Sequence, residues 1–95
     1  MEFRIKDIAA LLHGVVEGDG ELMVNNVSKI EEGKPNTLAF LANPKYEHYL
    51  YTTEASVVLV NQDFVPSQPV PCTLIRVPSA YEAIASLLRI YEEFI

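Results

Sequence analysis

The sequence predicts a small single-domain α/β fold, a mixed β-sheet flanked by helices, and three observations carry that reading. Segments of helical period alternate with short apolar runs along all 95 residues, which is the order that builds a layered α/β domain. The run "ASVVLVN" (residues 55–61) is continuously apolar and β-branched, as a strand covered on both faces has to be. The chain closes on "SAYEAIASLLRIYEEFI", a long segment whose apolar residues share one broad face. A chain of this length holds one core with little surplus.

From the N-terminus, "IKDIAALLHG" sets Ile5, Ile8, Leu11 and Leu12 on one helical face, and Gly14 suits a left-handed C-terminal cap. His13, just before it, stands where a histidine commonly meets free helix carbonyls. "VVEGDGELMVNNVS" reads as a hairpin: Val15 and Val16 start one strand, Gly18-Asp19-Gly20 supply the turn, and Leu22 to Val27 return. The glycines there serve turn geometry, not a phosphate cradle. "EEGKPNT" is a polar loop, Leu38 to Leu41 form the next strand, and a short helix follows from Pro44 to about Tyr51. Beyond the central strand, "PSQPVP" is a proline-rich surface connection. "TLIRV" is another strand, placed after the prolines that would remove its hydrogen-bond donors. The last helix opens on Ser79 and Glu82, a capping box, and its apolar residues Ala80, Ala83, Ile84, Leu87, Leu88 and Tyr91 cover one broad face. It ends without a glycine cap or polar tail, so a longer protein is expected to continue from it.

Composition excludes several function classes. Apolar residues make up 49% and charged residues 21% of the chain, the balance of a soluble globular domain. A net charge of −6 excludes a nucleic-acid-binding face, which needs a basic stripe to displace counterions. The basic residues Arg4, Lys6, Lys29, Lys34, Lys45, Arg76 and Arg89 are scattered. An anionic ligand would therefore rest on one or two of them plus backbone N–H groups. Cys72 is the lone cysteine, so no intrachain disulfide forms; it reads as a structural residue at a strand start, since a nucleophilic role needs a base nearby. His13 and His48 are far apart, with no Cys/His or paired-carboxylate motif, so neither a metal nor a cofactor is expected. His48 reads as a surface residue. No apolar run approaches a membrane span and no signal peptide opens the chain, which leads to the expectation of a cytoplasmic protein.

The stretch "LAFLANPKYEHYL" (residues 38–50) admits two readings. In one, Asn43 is a helix N-cap, Pro44 occupies the first helical position, Phe40 faces the core and Tyr46 packs on the helix flank. In the other, the corner is a slot for something flat. It lies at a strand end, where α/β folds tend to hold ligands. N–H groups at the helix start favour an anionic or carbonyl-rich partner, and two rings can sandwich a planar base. An asparagine amide, or the backbone beside it, can meet the polar edge of a pyrimidine. Spacing alone leaves both open.

The segment "NNVSKIEEGKPNTLAFLANPKYEHYLYTTEASVVLVN" resembles the N-terminal domain of bacterial UDP-3-O-acylglucosamine N-acyltransferase, the third enzyme of lipid A synthesis. The family's "S-F-L-x-N-x-K-Y" corresponds to Ala39 through Tyr46, and its "T-x-A-S-A-V-L-V" to Thr53 through Val60. Ala39 departs from the usual serine, at a position beside the proposed slot. The opening helix, the "EGDGE" turn and the "PSAYEAIASLL" helix follow the family's order, so the resemblance covers nearly the whole chain.

That resemblance implies a uridine-recognition module over residues 1–95, with Phe40 and Tyr46 sandwiching the uracil ring of a UDP-acylglucosamine substrate. Asn43 would contact the ring's polar edge, and Lys45 offers a weaker phosphate contact. It also implies a fold similar to the N-terminal domains of UDP-muramyl peptide ligases, one of which is an alternative parent. The hexapeptide-repeat β-helix that carries the family's catalytic histidine, forms its homotrimer and receives the acyl group from acyl carrier protein has no counterpart here. Residues 1–95 alone are thus expected to catalyse nothing. A further alternative is a packing or interaction domain of an oligomeric enzyme, with both rings buried.

Overall fold

The computed structural model describes residues 2–93, with Tyr91 and Glu93 given by their backbone alone. In chain order the elements are β1 (Phe3–Arg4), α1 (Ile5–Leu11), β2 (Val15–Glu17), β3 (Met23–Val24), β4 (Asn26–Val27), β5 (Thr37–Phe40), α2 (Glu47–Leu50), β6 (Val57–Asn61), β7 (Thr73–Val77) and α3 (Ala80–Glu93). Single 3₁₀ turns lie at Ile30–Glu32 and Pro44–Tyr46. The main sheet runs β2-β7-β6-β5-β4: β4 to β7 are parallel and β2 is antiparallel at the edge. The predicted mixed sheet flanked by helices is what forms.

Its centre is β6, where Val57 to Val60 are fully buried. Val57 and Leu59 point into a core with Ile5 and Ile8 of α1 and Ile84 and Leu87 of α3. Val58 and Val60 point the other way, against Ile30, Leu50 and Leu74. Both faces being covered is the reason no polar residue interrupts the run. Each such side chain contributes about 1.5–3 kcal/mol by leaving water.

The connections between the parallel strands all pack on the second face, through Ile30, Tyr49, Leu50, Tyr51, Phe64 and Val70. The proline-rich connection is tied down by side chains. Tyr51 Oη donates to Glu47 Oε2 at 2.6 Å and accepts from the Ser67 N–H at 2.9 Å. Arg76 Nε donates to Glu17 Oε1, while its Nη1 donates to the Phe64 carbonyl. At the start of α3, Ser79 Oγ accepts from the Glu82 N–H at 3.3 Å, as the capping box predicts. A second cap comes from Asn61, at the end of β6, whose Oδ1 accepts from the Ala80 N–H at 2.7 Å.

Four expectations are corrected. The predicted hairpin does not form. Val15–Glu17 pair with Thr73–Val77 and cover what would otherwise be an open edge of the sheet, while Met23–Val24 pair with Phe3–Arg4. Gly18, at φ 123°, turns the chain aside, and the Asp19 N–H donates to Thr73 Oγ1. Leu11 is 51% exposed because the buried arc of α1 passes through Ile5, Ile8, Ala9 and Leu12 and leaves it off the edge. Leu88 is 43% exposed for the same reason on α3, and the side chain of Tyr91 lies outside the described residues.

The fourth correction concerns the end of α1. His13, not Gly14, holds the left-handed conformation, at φ 56°. The Gly14 N–H bonds the Ala9 carbonyl at 2.8 Å and the His13 N–H the Ala10 carbonyl at 3.4 Å, the paired pattern of a Schellman cap. Gly14 is needed for space: a Cβ there would lie 2.6 Å from Ile75 Cγ2 and 2.9 Å from Val77 Cγ1. Urea unfolding separates the two roles. Gly14→Ala should cost about 1–3 kcal/mol by overpacking, whereas His13→Gly should leave stability unchanged or raise it by up to about 1 kcal/mol. The reverse ranking would return the left-handed role to the glycine.

Candidate functional site

Parallel pairing sets the site. The register Val27 opposite Leu38 brings the carboxyl ends of β4 and β5 side by side. The residues leaving each strand, 28–31 and 40–46, therefore meet at one end of the sheet. Between them lies a cleft of about 240 Å³. Phe40, Asn43 and Tyr46 line one side, and Lys29, Ile30 and Glu31 the other. That volume is just under the roughly 300–1,000 Å³ of pockets that take drug-sized ligands, so it suits a single ring system with part of its substituent.

Each side chain is placed by a local cause. Phe40 ends β5, half-buried, packed at the margin of the core under α1 and α3. Leu41 continues the ladder through its N–H to the Leu59 carbonyl at 2.8 Å and buries itself on the opposite face. Asn43 then takes an extended conformation (φ −114°, ψ 119°), and its Oδ1 accepts from the Lys45 N–H at 3.0 Å. Pro44 starts the 3₁₀ turn with its φ already set. Tyr46 is 41% exposed, with Tyr49 beside it at a ring-centroid distance of 6.2 Å. Both Phe40 and Tyr46 line the cleft.

Three of the four sequence-predicted residues thus line one cleft, and Lys45 does not. Asn43 has its carbonyl oxygen committed to the cap, while its Nδ2 donors make no hydrogen bond among the described residues. The expected backbone donors at the helix start are also committed. Pro44 has none, Lys45 N–H bonds Asn43 Oδ1, Tyr46 N–H bonds the Asn43 carbonyl, and Glu47 N–H bonds the Pro44 carbonyl. That expectation is corrected: the helix start at residues 44–47 has no spare N–H group for an anion. Lys29, Ile30 and Glu31 were not foreseen as cleft residues. The signal was the parallel pairing of β4, hidden by reading residues 22–27 as the return strand of a hairpin.

The other main cavities, among them one of about 310 Å³ lined by His13, Ser79, Glu82 and Ser86, lack a pair of aromatic rings among the described residues. A tight apolar pocket between α1, α3 and β3, lined by Phe3, Leu11, Val24 and Leu87, holds about 30 Å³, enough for about one water. A wide polar concavity of about 940 Å³ beside the cleft shares Lys29 with it and is lined further by Ser28, Lys34 and Glu54. Among the described residues no three His, Cys, Asp or Glu side chains gather as a metal site, and no helix is long and apolar enough to cross a membrane. Cys72 is half-buried before β7, and burial pushes its thiol up to about 11, which keeps it a thiol and a poor nucleophile at neutral pH. His48 is exposed, beside Tyr49 at 4.1 Å between ring centroids.

Comparison with known proteins gives one consistent answer. Residues 21–90 match the family described as UDP-3-O-(3-hydroxymyristoyl) glucosamine N-acyltransferase. Over 92 residues the chain is 52% identical to the UDP-3-O-acylglucosamine N-acyltransferase of Phocaeicola vulgatus, covering 97% of this chain and 27% of that one. The enzyme of the same name from Porphyromonas gingivalis is 53% identical over 92 residues, covering 97% and 26%. That from Bacteroides thetaiotaomicron is 51% identical over 92 residues, covering 97% and 27%. The chain spans about a quarter of the length of these curated relatives.

Asn43 is open to a stability test that separates its two groups. Asn43→Ala should lower stability by about 1 kcal/mol through loss of the cap. Asn43→Asp keeps an oxygen facing the Lys45 N–H and should melt with the wild type. Equal melting of wild type and Asn43→Ala would show that the cap adds nothing.

Proposed function

Since the chain belongs to the UDP-3-O-acylglucosamine N-acyltransferase family, we propose that it is the part of such an enzyme that recognises the uridine end of a UDP-3-O-acylglucosamine substrate. The observation that carries this reading is the open cleft at the end of β5, where two aromatic side chains and an amide converge in a volume suited to one base. Phe40 and Tyr46 stack on the two faces of the uracil, a contact worth roughly 1–3 kcal/mol per ring by alanine substitution. Asn43 donates from Nδ2 to a uracil carbonyl while its oxygen holds the corner. A pyrimidine carbonyl accepts that donor, and the slot selects a flat partner over a sugar.

Recognition of a remote nucleoside serves catalysis by orienting the sugar amine, not by touching it. In this reading the acyl transfer from acyl carrier protein takes place on residues outside these 95, on a trimeric hexapeptide-repeat domain. The 95 residues then bind and do not catalyse.

Titration of the 95-residue chain with uridine, followed by amide chemical shifts, tests the reading. Shifts should centre on Phe40, Asn43 and Tyr46, and Phe40→Ala or Tyr46→Ala should each weaken binding by about 1–3 kcal/mol. Asn43→Asp should lose binding while keeping its melting temperature. Absence of any perturbation at these residues at millimolar uridine contradicts the proposal.

A further inference from the structure

We propose that Lys29 binds the diphosphate of a uridine diphosphate whose base sits in the Phe40–Tyr46 cleft, an inference that rests on the uridine reading. A diphosphate brings at least two negative charges to a chain whose own net charge is −6, so a local cation has to offset the repulsion. The turn at residues 44–47 supplies no backbone donors, because the N–H groups of Lys45, Tyr46 and Glu47 are spent within it and Pro44 has none. Positive charge at the cleft comes from a side chain.

Lys29 is the one cationic residue among those lining the cleft, and Lys45, five residues past Phe40, is not among them. Lys29 is exposed and makes no ion pair among the described residues. It stands on the rim shared by the cleft and the wide polar concavity. The other charged group on the same wall is Glu31, and Glu32, Lys34 and Glu54 line the concavity beyond. Glu31 repels phosphate. A nucleotide with its base between the rings therefore leaves the slot on the Lys29 side, with its phosphates over the shared rim and the sugar beyond it. Sequence matching pointed to Lys45 for this contact; the geometry points to Lys29.

The test compares uridine with uridine diphosphate on the whole chain, in wild type, Lys29→Gln and Lys45→Gln. Wild type should bind the diphosphate more tightly than the nucleoside. Lys29→Gln should reduce that advantage, read as the ratio of diphosphate to uridine affinity in the same variant, by about three- to fivefold, as expected for one exposed charge pair. Lys45→Gln should leave the advantage intact, and added salt should erode it in wild type but hardly in Lys29→Gln. If uridine binds and the diphosphate advantage survives in Lys29→Gln, or falls in Lys45→Gln alone, the assignment is overturned and the uridine reading stands. If wild type binds neither ligand, both fall together.

Discussion

The parallel register of β4, β5 and β6 is the constraint from which the rest follows. Val27 opposite Leu38, and Leu38 opposite Val57, place three carboxyl ends at one edge of the domain. Each parallel step needs a return connection, and the returns are held on one face by Ile30, Leu50 and Phe64. The site is what those returns enclose where two of them begin. Slip the register of β5 by one residue and Phe40 changes faces with Leu41, so the cleft and the core cannot be varied independently.

The strong, local signals in the sequence translated directly. The β-branched run of β6, the "TLIRV" strand, the Ser79 cap and the Asn43-Pro44 corner each depend on neighbours a few residues away, and each forms as expected. The failures were non-local. Val15 and Val16 sit close to a suitable return strand in sequence, but they pair with Arg76 and Ile75, about sixty positions on. With that pairing missed, the parallel partner of β5 was missed, and so was the far wall of the cleft. Lys29 was legible only as one of seven scattered basic residues. Gly14 was assigned a backbone role where a packing role applies, because a residue's φ and its neighbours across the sheet leave no mark in sequence.

In the proposed reading, Asn43 combines a structural part with a recognition part. An amide has an acceptor at one end and donors at the other. The acceptor satisfies the Lys45 N–H and fixes the corner, and this holds the donor end in place before any ligand arrives. Preorganisation of that kind lowers the entropy lost on binding. It also explains why the helix start cannot double as an anion site: its N–H groups are the ones the corner consumes. In a chain this acidic, the proposed phosphate contact is therefore assigned to a side chain on the opposite wall, Lys29.

The central claim, that a pyrimidine lies between Phe40 and Tyr46, is tested most directly by intermolecular nuclear Overhauser effects in the uridine complex. The account predicts contacts from the uracil ring protons to the ring protons of both Phe40 and Tyr46. Contacts to neither ring in a sample saturated with uridine, or to residues on another face of the domain, would contradict it.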